Sequence, residues 1–191
     1  MQIIEPLNDC VADLYWLAFL LTGHSGLSVD VTLEALDFQE GAKSSSSTCM
    51  LPSLRRVLIA KALGAIPDEL VASRRRTSST RAKKAKLPTW NWALDRGTTK
   101  SHVESALLAI DVFPRCALLL LIFEGLSLED AAMLLEGDRD LVRKGQMIGL
   151  RELTSNLARM QKWTNGSRTS PRAPVEIGCP VVSLFKSSGP D

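Results

Sequence analysis

A chain of 191 residues, 45% hydrophobic and 23% charged, has room for one domain or two small ones, and its ordinary composition excludes disorder throughout. The net charge of +2 hides an asymmetry: residues 1–42 hold seven acids and no Lys or Arg, while residues 53–100 hold twelve bases against three acids. A basic middle suits a polyanionic partner, although the same charge run also suits a solvated linker.

The longest apolar runs, Leu14 to Leu21 and Cys116 to Phe123, are eight residues each, against roughly 20 needed to cross a bilayer. No membrane span is expected. The N-terminus is acidic where a signal peptide is basic, so the expected location is the cytosol. Cys10, Cys49, Cys116 and Cys179 are far apart, form no CxxC pair and have only His24 and His102 to complete a metal site, so they read as reduced thiols, with no metal and no cofactor. No Ser-His-Asp or Cys-His set and no Gly-rich phosphate loop stands out, and an enzyme is not expected.

Along the chain, helical periodicity begins at Cys10 to Leu21, where Leu14, Leu17, Ala18 and Leu21 recur at i, i+3, i+4 and i+7, and stops at Thr22-Gly23. A second helix is predicted from about Ser28 to Phe38. The small, polar stretch 40–53 predicts a loop. "LRRVLIAKAL" (54–63) predicts a third helix with Leu54, Val57, Leu58 and Ala62 inward, and "DELVASRRR" adds a further turn or two with Asp68 as cap. From Arg74 to Lys86 there are seven bases and no acid, which predicts a boundary between two separate cores. Trp90 and Trp92 within it are expected to dock on their own domain.

The second half opens with a predicted capping box, Ser101-x-x-Glu104, before a helix to about Ile110. Pro114 suits the first turn of the next helix, and Arg115 to Phe123, apolar on nearly every face, predicts a central buried helix. A second box at Ser127-x-x-Asp130 opens a short helix to about Leu135. "EGD" is the turn, and Asp138 caps a last long helix with Leu141, Val142, Leu150, Leu153 and Leu157 inward, ending near Trp163. The expected fold is all-α: two small helical domains joined by a basic linker, the second a helix-turn-helix domain. The expected boundaries are 1–73, a linker 74–100, 101–163, and a disordered tail 164–191.

The stretch "LLAIDVFPRCALLLLIFEGLSLEDAAMLLEGDRDLVRKGQMIGLREL" resembles the C-terminal helix-turn-helix domain of bacterial extracytoplasmic-function sigma factors, and "LYWLAFLLTGHSGLSVDVTLEAL" resembles their first domain. The resemblance spans most of residues 10–73 and 101–160 in the family's order. It implies a subunit of transcription initiation that binds core RNA polymerase and promoter DNA, with an anti-sigma protein as a conceivable further partner. By position, Asp30 and Glu34 fall on the polymerase-binding helix. Arg55, Arg56 and Lys61 fall on the helix that meets the melted strand, and Arg139, Arg143, Lys144, Gln146 and Met147 on the recognition helix. Arg74, Arg75 and Arg76 add a basic grip on the DNA backbone.

This chain departs from the family's pattern at Leu33, Arg55, Ala62, Leu141, Gly145, Ile148 and Gly149. Two glycines four apart each cost roughly 1 kcal/mol relative to Ala inside a helix, which predicts a soft recognition helix. Residues 126–163 carry six bases and six acids, too even a balance for strong unaided DNA binding. Asp138 reads as a helix cap, whereas Glu136 and Asp140 would repel phosphate. Two other readings stay open: a degenerate sigma-like protein acting through protein contacts, and a stand-alone helix-turn-helix regulator.

Overall fold

The computed structural model describes residues 4–41, 50–80 and 99–166. These residues form eight helices and no strand, an all-α fold. The helices are α1 (Ile4–Thr22), α2 (Ser25–Gly41), α3 (Met50–Gly64), α4 (Pro67–Ser79), α5 (Lys100–Leu108), α6 (Val112–Leu118), α7 (Leu128–Leu134) and α8 (Arg139–Gly166). α6 continues without a break into one π-helical turn, Leu119–Phe123. Residues 42–49 of the predicted loop, the basic stretch 81–98 with Trp90 and Trp92, and residues from 167 of the predicted tail lie outside the described residues; the predicted loop 40–53 and tail 164–191 are drawn too wide, since α2 reaches Gly41, α3 begins at Met50 and α8 reaches Gly166.

The periodicity of α1 is repaid in burial: Leu14, Leu17, Ala18 and Leu21 are all 3% exposed or less, and they pack against α2 and α3. α1 ends where expected. Gly23 takes φ +77°, a conformation an L side chain resists, and its N–H donates to the Phe19 carbonyl at 2.8 Å. A Cβ there would also stand 3.1 Å from the Arg115 guanidinium. Thr22 and Ser28 join hydroxyls at 2.9 Å across the turn, which satisfies both polar groups inside the packed junction of α1 and α2.

α6 is the centre of the second half, with Phe113 to Leu120 all buried. It crosses α8 very closely. Gly145 and Gly149 make the crossing possible, since a Cβ on Gly145 would stand 2.9 Å from the Phe113 ring and one on Gly149 2.6 Å from the Pro114 carbonyl oxygen. The two glycines therefore do not soften an exposed helix. They are a small-residue seam that lets two backbones meet, and α8 runs unbroken through both.

Other expectations need correction. The buried core is one contiguous cluster drawing on both halves, from Leu14 and Leu58 to Leu120 and Val142, rather than two cores separated at residue 74. Nor does a linker begin at 74: α4 continues through Arg74, Arg75 and Arg76 to Ser79. The cause is a stripe of Leu70, Ser73 and Thr77, buried at helical spacing against α6, which hydrophobic periodicity alone does not register. Ser73 accepts the buried Phe113 N–H at 2.8 Å, so α4 caps the start of α6 with a side chain from another helix.

The predicted box at Ser101 and Glu104 is displaced by two residues. Thr99 is the N-cap of α5, its hydroxyl accepting from the His102 N–H while the His102 ring takes the Thr99 N–H. Glu104 is thereby left to accept from Trp16 Nε1, on α1, at 3.1 Å. Ser127 and Asp138 cap as expected: Ser127 Oγ accepts the Asp130 N–H at 3.0 Å, and Asp138 Oδ1 the Leu141 N–H at 2.7 Å. Burial of the leucine-rich helix stops short of its end, with Ile122 and Phe123 about half exposed.

Candidate functional site

The residues that the sequence marks for partners fall on two surfaces. On α2, Val29, Asp30, Leu33, Glu34, Asp37 and Phe38 are all exposed, with Leu33 at 54% and Phe38 at 62%. A helix of this length has no need to leave two large apolar side chains in water among three acids.

The second surface is built by α7, the turn 135–138 and α8. α7 ends in a Schellman arrangement: the Gly137 N–H donates to the Ala132 carbonyl at 3.0 Å and the Glu136 N–H to the Met133 carbonyl at 3.2 Å. Glu136 therefore occupies the left-handed position, φ +48°, usually held by glycine. From Asp138 onward α8 presents Asp140, Arg143 and Met147 to solvent, with Gln146 half-buried. Arg139 pairs with Glu129 of α7. Met133 on α7 and Met147 on α8 are both widely exposed.

Most of the predicted nucleic-acid contacts are engaged within the protein. Arg55 makes a two-point bond to Glu124, Nε to Oε2 at 2.9 Å and Nη2 to Oε1 at 2.6 Å, and the bond to Glu124 raises the Arg55 pKa. Lys61 bonds Glu34 at 2.8 Å, so a base assigned to DNA and an acid assigned to polymerase satisfy each other. Arg74 donates to the Leu135 and Glu136 carbonyls, the unpaired end of α7. Arg76 grips Asp111 with two bonds of 2.9 and 2.7 Å, and Lys144 donates to the Ser78 carbonyl at 2.8 Å. Arg56, Arg75 and Arg143 are exposed, with no side-chain hydrogen bond or ion pair among the described residues. The basic run beyond Thr80, with Lys83, Lys84 and Lys86, lies outside the described residues.

Sequence reasoning passed over Arg115. It is 4% exposed and donates to the Leu108 and Ile110 carbonyls and, through Nη2, to that of Leu21. One guanidinium thus closes the C-terminal ends of α5 and α1, where backbone carbonyls and the helix dipole both favour a cation. Burial lowers its pKa. The neighbouring Cys116 donates toward the same Leu21 carbonyl at 3.7 Å; burial pushes its thiol up to about 12, which keeps it protonated and unreactive. An Arg within an apolar run was the available signal.

Among the described residues no helix is long and apolar enough to cross a membrane, and no group of three His, Cys, Asp or Glu side chains could hold a metal ion. No protein-family model matches this chain, and no curated protein matches it.

Proposed function

We propose that this chain is a sigma-like protein of transcription initiation, which docks on core RNA polymerase through the outer face of α2 and meets promoter DNA with α8. The observation that carries the reading is the outer face of α2, where Leu33 and Phe38 stand in solvent among Asp30, Glu34 and Asp37: a helix end-to-end prepared for a protein with basic and apolar contacts of its own. α8 supplies the second contact through Arg143, Gln146 and Met147. Arginine on an exposed helix face can bond guanine edges or phosphate, and attachment to polymerase would raise the effective concentration of DNA to near millimolar. Weak intrinsic affinity is then sufficient.

Reconstitution tests this directly. The full chain should co-elute with core polymerase and confer promoter-specific transcription, and Leu33→Asp with Phe38→Asp should abolish co-elution while leaving the helical circular dichroism intact. Failure of the unaltered chain to associate with polymerase would defeat the proposal. A second reading, a sigma-like protein that works through protein contacts alone, draws on the commitment of Arg55, Arg74, Arg76 and Lys144 to bonds inside the fold. It is preferred if polymerase binding persists while Arg143→Ala leaves transcription unaltered.

A further inference from the structure

The division the chain observes is not the one its charge pattern suggests. α4 packs mainly on α6, with lesser contact to α8 and to α3. Ser73 caps α6, Arg74 closes α7, Arg76 holds Asp111 and Ser78 takes Lys144. By contact, the units are α1–α3 and α4–α8, and the joint between them is Gly64 to Pro67.

That joint is short, with Ile66 buried and open space at its start. Gly64 and Ala65 are exposed, and a Cβ on Gly64 would meet nothing within 4 Å. Beside it lies an unfilled cleft of about 200 Å³, with Ala60, Leu63 and Gly64 on one side and Val71, Leu134 and Glu136 on the other. Beside the apolar core that the two units share, polar contacts also cross between them: Trp16 to Glu104, Lys100 at 4.8 Å over the Trp16 ring, His24 to Glu69, Arg115 to the Leu21 carbonyl, and Arg55 to Glu124.

The Arg55–Glu124 pair is unequal in a way that matters. The Arg55 side chain is 37% exposed and within reach of a ligand, whereas that of Glu124 is 8% exposed. If an anion took Arg55, Glu124 would remain as a nearly buried carboxylate without its counter-ion, which is strongly unfavourable. Parting of the units would admit water to it.

We propose that α1–α3 is a hinged unit that turns about Gly64 to Pro67, and that Arg55–Glu124 is its latch, released when a nucleic-acid phosphate captures Arg55. The release step rests on the reading of Arg55 as a nucleic-acid contact; the latch does not. Capture and opening are linked in both directions: whatever opens the units exposes Arg55 fully, and whatever binds Arg55 drives opening.

The test uses the full chain with spin labels at Asp37→Cys on α2 and Ser155→Cys on α8, both exposed, after replacement of Cys10, Cys49 and Cys179 by Ser. The otherwise unaltered protein should give one short inter-label distance. Glu124→Gln should add a longer population, and Arg55→Ala a larger one, because it strands the carboxylate. The reversed pair, Arg55→Glu with Glu124→Arg, should restore the single distance, which also separates latch loss from misfolding. A short DNA duplex added to the unaltered protein should shift it toward the longer distance. If both single variants keep the short distance, there is no latch. If they open while bound DNA leaves the unaltered protein closed, release by phosphate is overturned. If DNA does not bind at all, the nucleic-acid reading falls with the release step, and the variants still decide the latch; polymerase association is scored separately.

Discussion

Gly149 and Pro114 are in such close approach that a Cβ on the glycine would stand 2.6 Å from the proline's carbonyl oxygen. Alanine is the better helix former by roughly 1 kcal/mol, so propensity alone predicts that Gly149→Ala stabilises. Packing predicts the reverse. The obstacle is backbone, which cannot swing aside, and overpacking of this kind costs about 1–3 kcal/mol. Chemical denaturation should show net destabilisation by Gly149→Ala, and Gly26→Ala, at a site with nothing within 4 Å, should be neutral or slightly stabilising. A stabilised Gly149→Ala would mean that α6 and α8 do not cross so closely.

Glu136 holds a left-handed backbone, φ +48°, at a cost of roughly 1–2 kcal/mol for a residue with a Cβ. Glu136→Gly should raise stability by about 1 kcal/mol, because the Arg74 contact there is to a backbone carbonyl and survives the change. A lower melting temperature in the glycine variant would count against the left-handed turn.

Asp111 accepts from Arg76 and also from its own helix start at the Val112 N–H, 3.0 Å. The Arg76 guanidinium bonded to it holds its carboxyl below the usual range. A depressed folded-state pKa gives stability that is present above the unfolded value and lost as pH falls through the folded one. Asp111→Asn should therefore lower stability at neutral pH, and the gap from the unaltered protein should narrow in acid. A gap of constant size from neutral pH down to the acid limb would contradict this.

Asp140 lies exposed in the first turn of α8, between Arg139 and Arg143 in sequence. Asp140→Asn should tighten binding of a short duplex at low salt by removing a repulsion toward phosphate, and the gain should fade as salt rises. Loss of a carboxylate near the helix N-terminus should cost about 0.3–1 kcal/mol of stability. Unchanged or weaker binding at low salt would mean that this helix face does not approach DNA.

The helices were legible because each carries its own local instructions. Leu14 to Leu21 announces its stripe, and Ser127 and Asp138 announce their caps, within a few residues of sequence. What escaped depends on distant partners. Ser73 and Thr77 look solvent-facing until α6 is placed against them, and Arg74 looks like part of a charged tether until the carbonyls of α7 are within its reach. Likewise Gly145 and Gly149 look like weaknesses when only their own helix is considered. The partner surfaces were legible as positions, Asp30 and Glu34 on one and Arg143 and Met147 on the other. The pairing of Lys61 with Glu34 and of Arg55 with Glu124 was not, since those residues are 27 and 69 positions apart.

The π-helical turn at Leu119–Phe123 sets the phase of everything that follows it. The Glu124 N–H donates to the Leu119 carbonyl at 2.9 Å, five residues back, so this turn contains one residue more than an α-turn would. Take that residue out, and the end of the helix at Glu124 would rotate by about 100°, the angle each residue contributes at roughly 3.6 per turn. Glu124 would then leave the bearing on which Arg55 meets it. One inserted amino acid thus acts as a timing mark, aligning the outlet of the central helix with a side chain 69 positions upstream; a chain one residue shorter here could keep every helix and still lose the junction.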